Sequence, residues 1–438
     1  MKMLESSLEL KIQGRTARVG IIGLGYVGLP LAVEAAKAGF SVLGVDTDAV
    51  RAAGVNRGES HIADVQTQVV RRLVESERLA ASASYDALRG ADVLIICVPT
   101  PLTKSKEPDL SYVVAAAKAC VPVLRRDCLV VLESTTYPGT TVEVVKPALE
   151  ASGLRAGSDF HLAFSPERID PGNKTHAFRD IPKIVGGLTP ACTRAVQTFY
   201  EQIVKRVVVV SSPTVAEMAK VYENVFRNVN IALVNELTLL CNRMGVDVWE
   251  VIDAAATKPY GFMPFYPGPG VGGHCIPVDP YYLSAKAREY DFHARFIELA
   301  ATVNDSMPYY VLSRVTGALG ARGKTLRGAR ILVLGVAYKK DTADARMSPS
   351  LKIIQLLEKP GAVVTYHDPH VPSITLTNPG GTIYSVPLTD ETLSKVDCVI
   401  LATDHSDIDY QRLLDKAPLI IDTRNRLRGN TNSHVVRL

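Results

Sequence analysis

One cysteine carries the sharpest chemistry in this sequence. The run Gly268-Pro-Gly-Val-Gly-Gly-His-Cys-Ile-Pro-Val-Asp-Pro-Tyr-Tyr-Leu283 presents Cys275 with His274 beside it and Asp279 four residues on. A thiol can attack a carbonyl carbon, and a nearby carboxylate can hold a proton or order a water. Four glycines and two prolines in the first ten residues specify a fixed, irregular backbone that no ordinary helix or strand tolerates. A buried, inert cysteine is the competing reading. Such a cysteine needs neither the glycines nor the acid.

A second set of polar groups falls on one predicted helix. Ser212-Pro213 reads as an N-cap followed by proline at the first helical position. No Gly or Pro interrupts the chain from there to Arg243, which gives about 45 Å of helix. Val215, Met218, Tyr222, Val225, Val229, Leu233, Leu237 and Leu240 form an apolar stripe expected to be buried. Lys220, Asn224, Arg227, Asn228, Ile231 and Asn235 form a second stripe, rich in Asn, a poor helix former. Lys220 and Asn224 are four apart and project from the same face. The polar stripe is expected to face an active site, and so long a helix is a natural subunit interface.

The elements that must position these groups are βα units. Residues 18–32 read as an apolar strand running through Gly23-x-Gly25-x-x-Gly28 into a helix. A second strand, 41–46, ends in Asp46, eighteen residues after Gly28. In that context the glycines let a pyrophosphate approach a helix N-terminus. Asp46 would accept from ribose hydroxyls and repel a 2′-phosphate, so NAD is expected over NADP. Two further apolar runs end in Thr100 and Thr135, at the strand ends where open α/β sheets bind ligands. Each Thr could equally be a turn former. Glu167 and Arg168 follow another strand, and Asp170-Pro-Gly-Asn reads as a turn. After a linker at 320–328 a strand–glycine–helix pattern restarts, and a strand again ends in an acid, Asp368. This later loop lacks GxGxxG and carries Lys339, Lys340, Asp344 and Arg346, which suit a phosphate better than a second dinucleotide.

The expected fold is therefore α/β, with two Rossmann-like doubly wound domains joined by a long central helix. The boundaries read as an N-terminal appendage at 1–17, a dinucleotide-binding domain at 18–211, a helical central domain with the cysteine turn at 212–320, and a nucleotide-binding domain at 321–438. With 438 residues, 47% hydrophobic and a net charge of +4 without a basic run, the chain argues against a nucleic-acid or membrane partner. Seven scattered cysteines form no CxxC pair, so thiols in a reducing cytoplasm are expected, with no metal site.

Taken together, Gly23-Leu-Gly-Tyr-Val-Gly28, Val98-Pro-Thr-Pro101, Glu133-Ser-Thr-Thr, Ser165-Pro-Glu167-Arg168, Lys220-Val-Tyr-Glu-Asn224, the Cys275 turn and Tyr338-Lys-Lys-Asp-Thr-Ala-Asp344-Ala-Arg346 resemble the UDP-glucose/GDP-mannose dehydrogenase family over residues 18–425. The resemblance implies oxidation of a nucleotide-sugar C6 alcohol to a carboxylate with two NAD, in a homodimer or higher homo-oligomer. It implies catalytic roles for Cys275, Lys220, Asp279, Asn224, Glu167 and Thr135. Gly23, Gly25, Tyr26, Val27, Gly28, Asp46, Arg51, Thr100, Thr135 and Arg346 are then expected at the cofactor. Glu167, Arg168, Lys220, Asn224, Phe265, Tyr266, Gly272, Lys339 and Arg424 are expected at a UDP-sugar. The Gly272-Gly-His-Cys turn and the run 258–267 look more like the branch acting on UDP-N-acetylhexosamines than the UDP-glucose branch. UDP-N-acetyl-D-glucosamine is the leading expectation, with the manno epimer and UDP-glucose as alternatives and surface polysaccharide as the destination. A two-electron hydroxyacid dehydrogenase needs neither Cys275 nor a third domain, and a non-catalytic sensor needs no Cys275, Lys220 or Asp279.

Overall fold

The structure, a computed structural model, describes residues 6–62, 64–103, 105–170, 176–273, 275–377, 380–430 and 432–438. It divides into two compact units, Met1–Glu223 with Tyr281–Phe292, and Asn224–Pro280 with His293–Leu438.

The first unit carries an eight-stranded sheet of β1 (Arg18–Ile22), β2 (Ser41–Val45), β3 (Leu79–Ser82), β4 (Val93–Ile96), β5 (Leu129–Leu132), β6 (His161–Phe164), β7 (Lys183–Gly187) and β8 (Val207–Val209). Their order is β3-β2-β1-β4-β5-β6-β7-β8, parallel except for β6 against β7. These strands read as unbroken Val/Ile/Leu runs because helices cover both faces. Alternate residues therefore enter two separate cores. Val19, Ile21, Ile95 and Val131 pack into one, and Ile22, Leu94, Ile96 and Leu132 into the other. Truncating any of them to Ala is expected to cost about 2–5 kcal/mol. The strand order reverses between β1 and β4, so the loops leaving those strands diverge and open a crevice.

The second unit repeats the scheme with β9 (Arg330–Leu334), β10 (Val363–His367), the hairpin β11 (Ser373–Thr377) and β12 (Gly380–Tyr384), β13 (Cys398–Leu401), β14 (Ile420–Asp422) and β15 (Val435–Arg437). Its main sheet is all parallel in the order β10-β9-β13-β14-β15, reversing between β9 and β13.

Two expectations change in part. Of the stretch read as an N-terminal appendage, residues 6–17 are docked on the first core. Ser7–Gln13 is a helix closed by a Ser6/Glu9 capping box, and Leu8 and Ile12 are fully buried in the first core. Two apolar residues four apart were too short a stripe to read as a docked helix. The long helix runs Pro213–Met244, with Ser212 Oγ accepting from the Val215 N–H. The apolar stripe expected to be buried is exposed at five of its eight positions, while Val225 is buried and Val229 and Leu237 are half-buried. Val215, Met218, Tyr222, Leu233 and Leu240 are exposed, as is Phe226. Lys220, Asn224, Asn228 and Asn235 are buried.

Candidate active site

In the first unit, the turn after β1 is shaped by its glycines. Gly23 has φ +91°, and a Cβ there would meet the Cys97 carbonyl oxygen at 2.5 Å. A Cβ on Gly28 would lie 1.8 Å from the Gly23 carbonyl oxygen, so only glycine lets this helix start so close to the strand. Around Gly25 nothing lies within 4 Å of a built Cβ, leaving backbone open to a ligand. The helix Gly28–Lys37 has no side chain capping its N-terminus and no acid in its first turn, so its leading N–H groups suit a pyrophosphate. Tyr26 is exposed at the turn.

Asp46 is almost fully buried and bonded on both oxygens. Oδ2 accepts from the Leu24 N–H and from Arg51, each at 2.9 Å, and Oδ1 from the Asp48 N–H at 3.0 Å. Burial works against its charge, but the Asp48 and Leu24 N–H groups and Arg51 outweigh it and hold the carboxyl below its usual range. Asp46 therefore fixes the glycine turn. Arg51 offsets part of the charge that would repel a 2′-phosphate. These residues fit a dinucleotide.

Thr100 and Thr135 are half-buried in the loops leaving β4 and β5. Glu167 follows β6, where Oε1 accepts from the Arg168 and Ile169 N–H groups at 2.6 and 2.7 Å. Its Oε2 accepts from Lys183 at 3.0 Å. Arg168, half-buried, forks onto the Glu223 carboxylate and donates to the Pro182 carbonyl. Lys220 is 8% exposed and meets no hydrogen-bond or ion-pair partner among the described residues of its unit. One turn earlier on the same helix, buried Glu217 accepts from the Gly139 and Thr141 N–H groups and the Thr141 hydroxyl at 2.6–2.8 Å. That ties the loop after Thr135 to the helix bearing Lys220.

In the second unit, Cys275 is the exposed one of the seven cysteines. Its carbonyl accepts from the Val278 and Asp279 N–H groups at 3.1 and 2.8 Å, so the turn closes directly onto the helix that Asp279 begins. Asn224 donates to the buried Asp279 carboxylate. Gly272 and Gly273 lie against Tyr338, where a Cβ would meet the side chain at 2.7 and 2.9 Å. The cysteine turn and the loop bearing Lys339 are therefore packed together. Arg424 lies against Gly268, 2.7 Å from where its Cβ would be, and donates to the Ala402 carbonyl. Phe265 meets Phe226 edge-on, and Tyr266 stacks on Trp249 at 5.7 Å. Arg346 forks onto Asp344 and lies in the second unit, not in the unit of the glycine turn. His274 and residues 171–173 of the expected turn lie outside the described residues.

The polar stripe divides. Asn235 donates to Asn304 at 2.9 Å and accepts from the Gly268 N–H, while Asn304 donates to Asn228 at 2.8 Å. Asn228 and Asn235 therefore brace the cysteine turn rather than reach a ligand.

Residues 17–204 match the NAD binding domain of the UDP-glucose/GDP-mannose dehydrogenase family, 214–306 its central domain and 332–429 its UDP binding domain. The chain belongs to that family. It is 39% identical to a UDP-N-acetyl-D-glucosamine 6-dehydrogenase of Pseudomonas aeruginosa, over 89% of this chain and 91% of the relative. It is 37% identical to an NDP-N-acetyl-D-galactosaminuronic acid dehydrogenase of Ralstonia nicotianae, over 93% and 95%. The structure of a UDP-D-ManNAc dehydrogenase from Pyrococcus horikoshii superposes with a TM-score of 0.88 at 33% identity, covering 96% of this chain and 98% of that one. The protein is an NAD-dependent nucleotide-sugar 6-dehydrogenase with a UDP-sugar substrate. Among the described residues no helix is long and apolar enough to cross a membrane.

Sequence reasoning missed Lys183, Glu217 and Asn304. Lys183 opens a strand too short to stand out, and Glu217 sits among apolar residues on a helix where an acid reads as surface. Only their burial marks them.

Proposed function

We propose that the chain oxidises the C6 alcohol of a UDP-N-acetylhexosamine to the uronate in two steps, holding the aldehyde covalently on Cys275. The observation that carries this is an exposed thiol on a glycine turn braced from beneath, with a buried Asn224–Asp279 pair at the helix the turn opens. When bound, NAD supplies the hydride acceptor for both oxidations. Gly23, Gly25, Tyr26, Val27, Gly28, Asp46, Arg51 and Thr100 would hold it, and Arg346 remains a proposed contact despite its pairing with Asp344. Lys220, Asn224 and Asp279 stabilise developing alkoxide and order water. Cys275 sulfur then bonds to C6 of the aldehyde as its thiol proton passes to the carbonyl oxygen, giving a thiohemiacetal, and loss of a second hydride from C6 with the hydroxyl proton passing to ordered water gives a thioester. Water attacks that carbonyl while Glu167 takes its proton and Thr135 orients it. The C–S bond breaks, returning the electron pair to Cys275. Lys339 and Arg424 would meet the diphosphate, and Arg168, Phe265, Tyr266 and Gly272 the nucleoside and sugar.

For the sugar we favour UDP-N-acetyl-D-glucosamine. The run 262–267 adds apolar and aromatic surface suited to an acetamido methyl, whose burial is worth on the order of 1 kcal/mol, roughly tenfold in discrimination. Relatives named for three different N-acetyl sugars support the acetamido class and leave the epimer to experiment. Comparing kcat/KM for UDP-N-acetylglucosamine, UDP-N-acetylmannosamine and UDP-glucose decides it. A maximum on UDP-glucose discards the acetamido argument, and one on the manno epimer discards only the stereochemistry. The product would feed surface polysaccharide, and the stretches 18–211, 212–320 and 321–438 would act as cofactor, central and UDP-binding domains.

The exposed apolar stripe on Pro213–Met244 suits a homodimer seam. Arg at Leu233, 65% exposed, is expected to break assembly, because an unpaired charge is not buried cheaply. Native protein found monomeric by light scattering at micromolar concentration rejects the seam.

A further inference from the structure

Three charged side chains of the first unit share one buried space that the reaction as described uses only in part. β7 runs antiparallel to β6, so its first residue, Lys183, reaches the end of β6 from which Glu167 projects. Lys183 Nζ lies 3.1 Å from Glu133 Oε1 and 3.0 Å from Glu167 Oε2. The side chains of Lys183 and Glu133 are 4% and 0% exposed. Tyr200 also donates to Glu133 Oε1. Glu133 Oε2 is buried and has no partner among the described residues.

Two carboxylates and one ammonium leave one net negative charge in this space. Burying it uncompensated costs several kcal/mol, and carboxylates sharing a site resolve this when one keeps a proton. The hydrogen bonds say which one. Glu167 has donors on both oxygens, with two backbone N–H groups on Oε1 and Lys183 on Oε2. Glu133 has the bare oxygen. We propose that Glu133, Lys183 and Glu167 form one proton-holding unit in which Lys183 keeps Glu167 anionic and Glu133 carries the proton. Glu133 and Lys183 are then positioning residues for the acid–base step, and this rests on the reading of Glu167 as the base.

The groups facing Glu133 are Lys183 from β7, Glu167 after β6, Tyr200 from the helix Pro190–Glu201 and the Cys97 thiol after β4. Burial raises Glu133 to about 7, with Lys183 opposing and the Glu167 charge adding. Burial also works against Glu167, but Lys183 and the backbone donors hold it below its ordinary range. When a water O–H bond breaks and its proton moves to Glu167, the Lys183 charge is left to Glu133 and the unit holds two protons. Glu167, the more exposed of the two carboxyls, then gives its proton to bulk water, and the unit ends with the one proton it began with.

Infrared difference spectra of the resting holoenzyme read this directly. Wild type minus Glu133→Gln is expected to contain a protonated-carboxyl band that titrates away near pH 7. Wild type minus Glu167→Gln is expected to contain the same band, because without the Glu167 charge Lys183 ionises Glu133, so loss of the band in both variants is the signature of one shared proton. Other carboxyls raised by burial, Glu217, Glu358 and Asp422, cancel in both differences. Kinetics supply a second readout. In Glu133→Gln, Lys183 serves Glu167 alone, so the acid limb of thioester hydrolysis moves to lower pH and the rate falls about three- to tenfold. In Lys183→Met the acid limb moves to higher pH, whereas a merely structural role would not shift the two variants in opposite directions. If Lys183→Met does not fold, the Glu133→Gln spectrum and profile decide. A band that survives in Glu133→Gln, or an unshifted acid limb, overturns the inference. Glu167→Gln with wild-type turnover instead overturns the reading of Glu167 as base, whatever the spectra give.

Discussion

The two sheets place an aspartate at the same point, the end of the strand beside the first, and use it differently. Asp46 binds one N–H of the turn after β1 and leaves the backbone at Gly25 open. Asp368 binds four N–H groups, those of Val336 and Ala337 through Oδ2 and of His370 and Val371 through Oδ1. His405 adds a ring nitrogen at 3.1 Å from Oδ2, and its other nitrogen accepts from the Asp341 N–H. Thr403 fills the turn at Gly335, where a Cβ would meet its Cβ at 2.4 Å, and donates to the Ala337 carbonyl. Strand, turn and acid therefore specify a topology. Whether the turn binds a phosphate depends on whether its donors are already spent. The second sheet, in the domain that matches the family's UDP binding domain, accordingly lacks an open dinucleotide turn.

The comparison breaks first at Asp368. Asp368→Ala orphans four N–H groups, three of them buried, and His405 at once, and is expected to destabilise folding by about 3 kcal/mol or more in urea unfolding. The charge is separable from the shape. Burial pushes Asp368 up, but His405 and the backbone donors win and bring it from 3.8 to about 2. A carboxyl depressed on folding contributes stability that is fully present above the unfolded value and lost as pH falls through the folded one. Wild type should therefore lose about 2 kcal/mol from this group between about pH 5 and pH 2, and Asp368→Asn should not show that loss. Parallel pH curves for the two proteins would remove the assignment.

At Asp46 the effect moves from folding to the cofactor. Asp46→Ala should weaken NAD by on the order of 1–3 kcal/mol and release Arg51 from its ion pair, so that rejection of NADP relaxes. Titration with both cofactors checks it, and a native preference for NADP rejects the reading. The smallest expected effect is at Gly25. Gly25→Ala should change unfolding free energy by no more than about 0.5 kcal/mol, because its Cβ meets nothing within 4 Å, yet weaken NAD by crowding the pyrophosphate. Equal losses of stability at Gly25 and Gly28 would contradict the open turn.

Much of this was legible in the sequence. The apolar runs at 18–22, 93–96, 129–132 and 330–334 are strands, and the long helix begins at Pro213 as its N-cap signals. Short strands such as Val207–Val209 were not legible, because three residues give no period. The apolar stripe of the long helix is less buried than expected for a physical reason. Periodicity separates two stripes but cannot say which faces the chain's own core, and Asn228 and Asn235 are buried through a hydrogen-bond network completed by Asn304, far along the sequence. Glu133 and Glu167 were visible as residues, but the lysine between them needed the antiparallel β7.

If Cys275 carries the intermediate, NADH counted against uronate in single-site turnover should give two NADH per uronate with no free aldehyde, and Cys275→Ser should lose nearly all turnover. One NADH per sugar with aldehyde released to solvent, or a Cys275→Ser enzyme that still completes both oxidations at the wild-type rate, would contradict it.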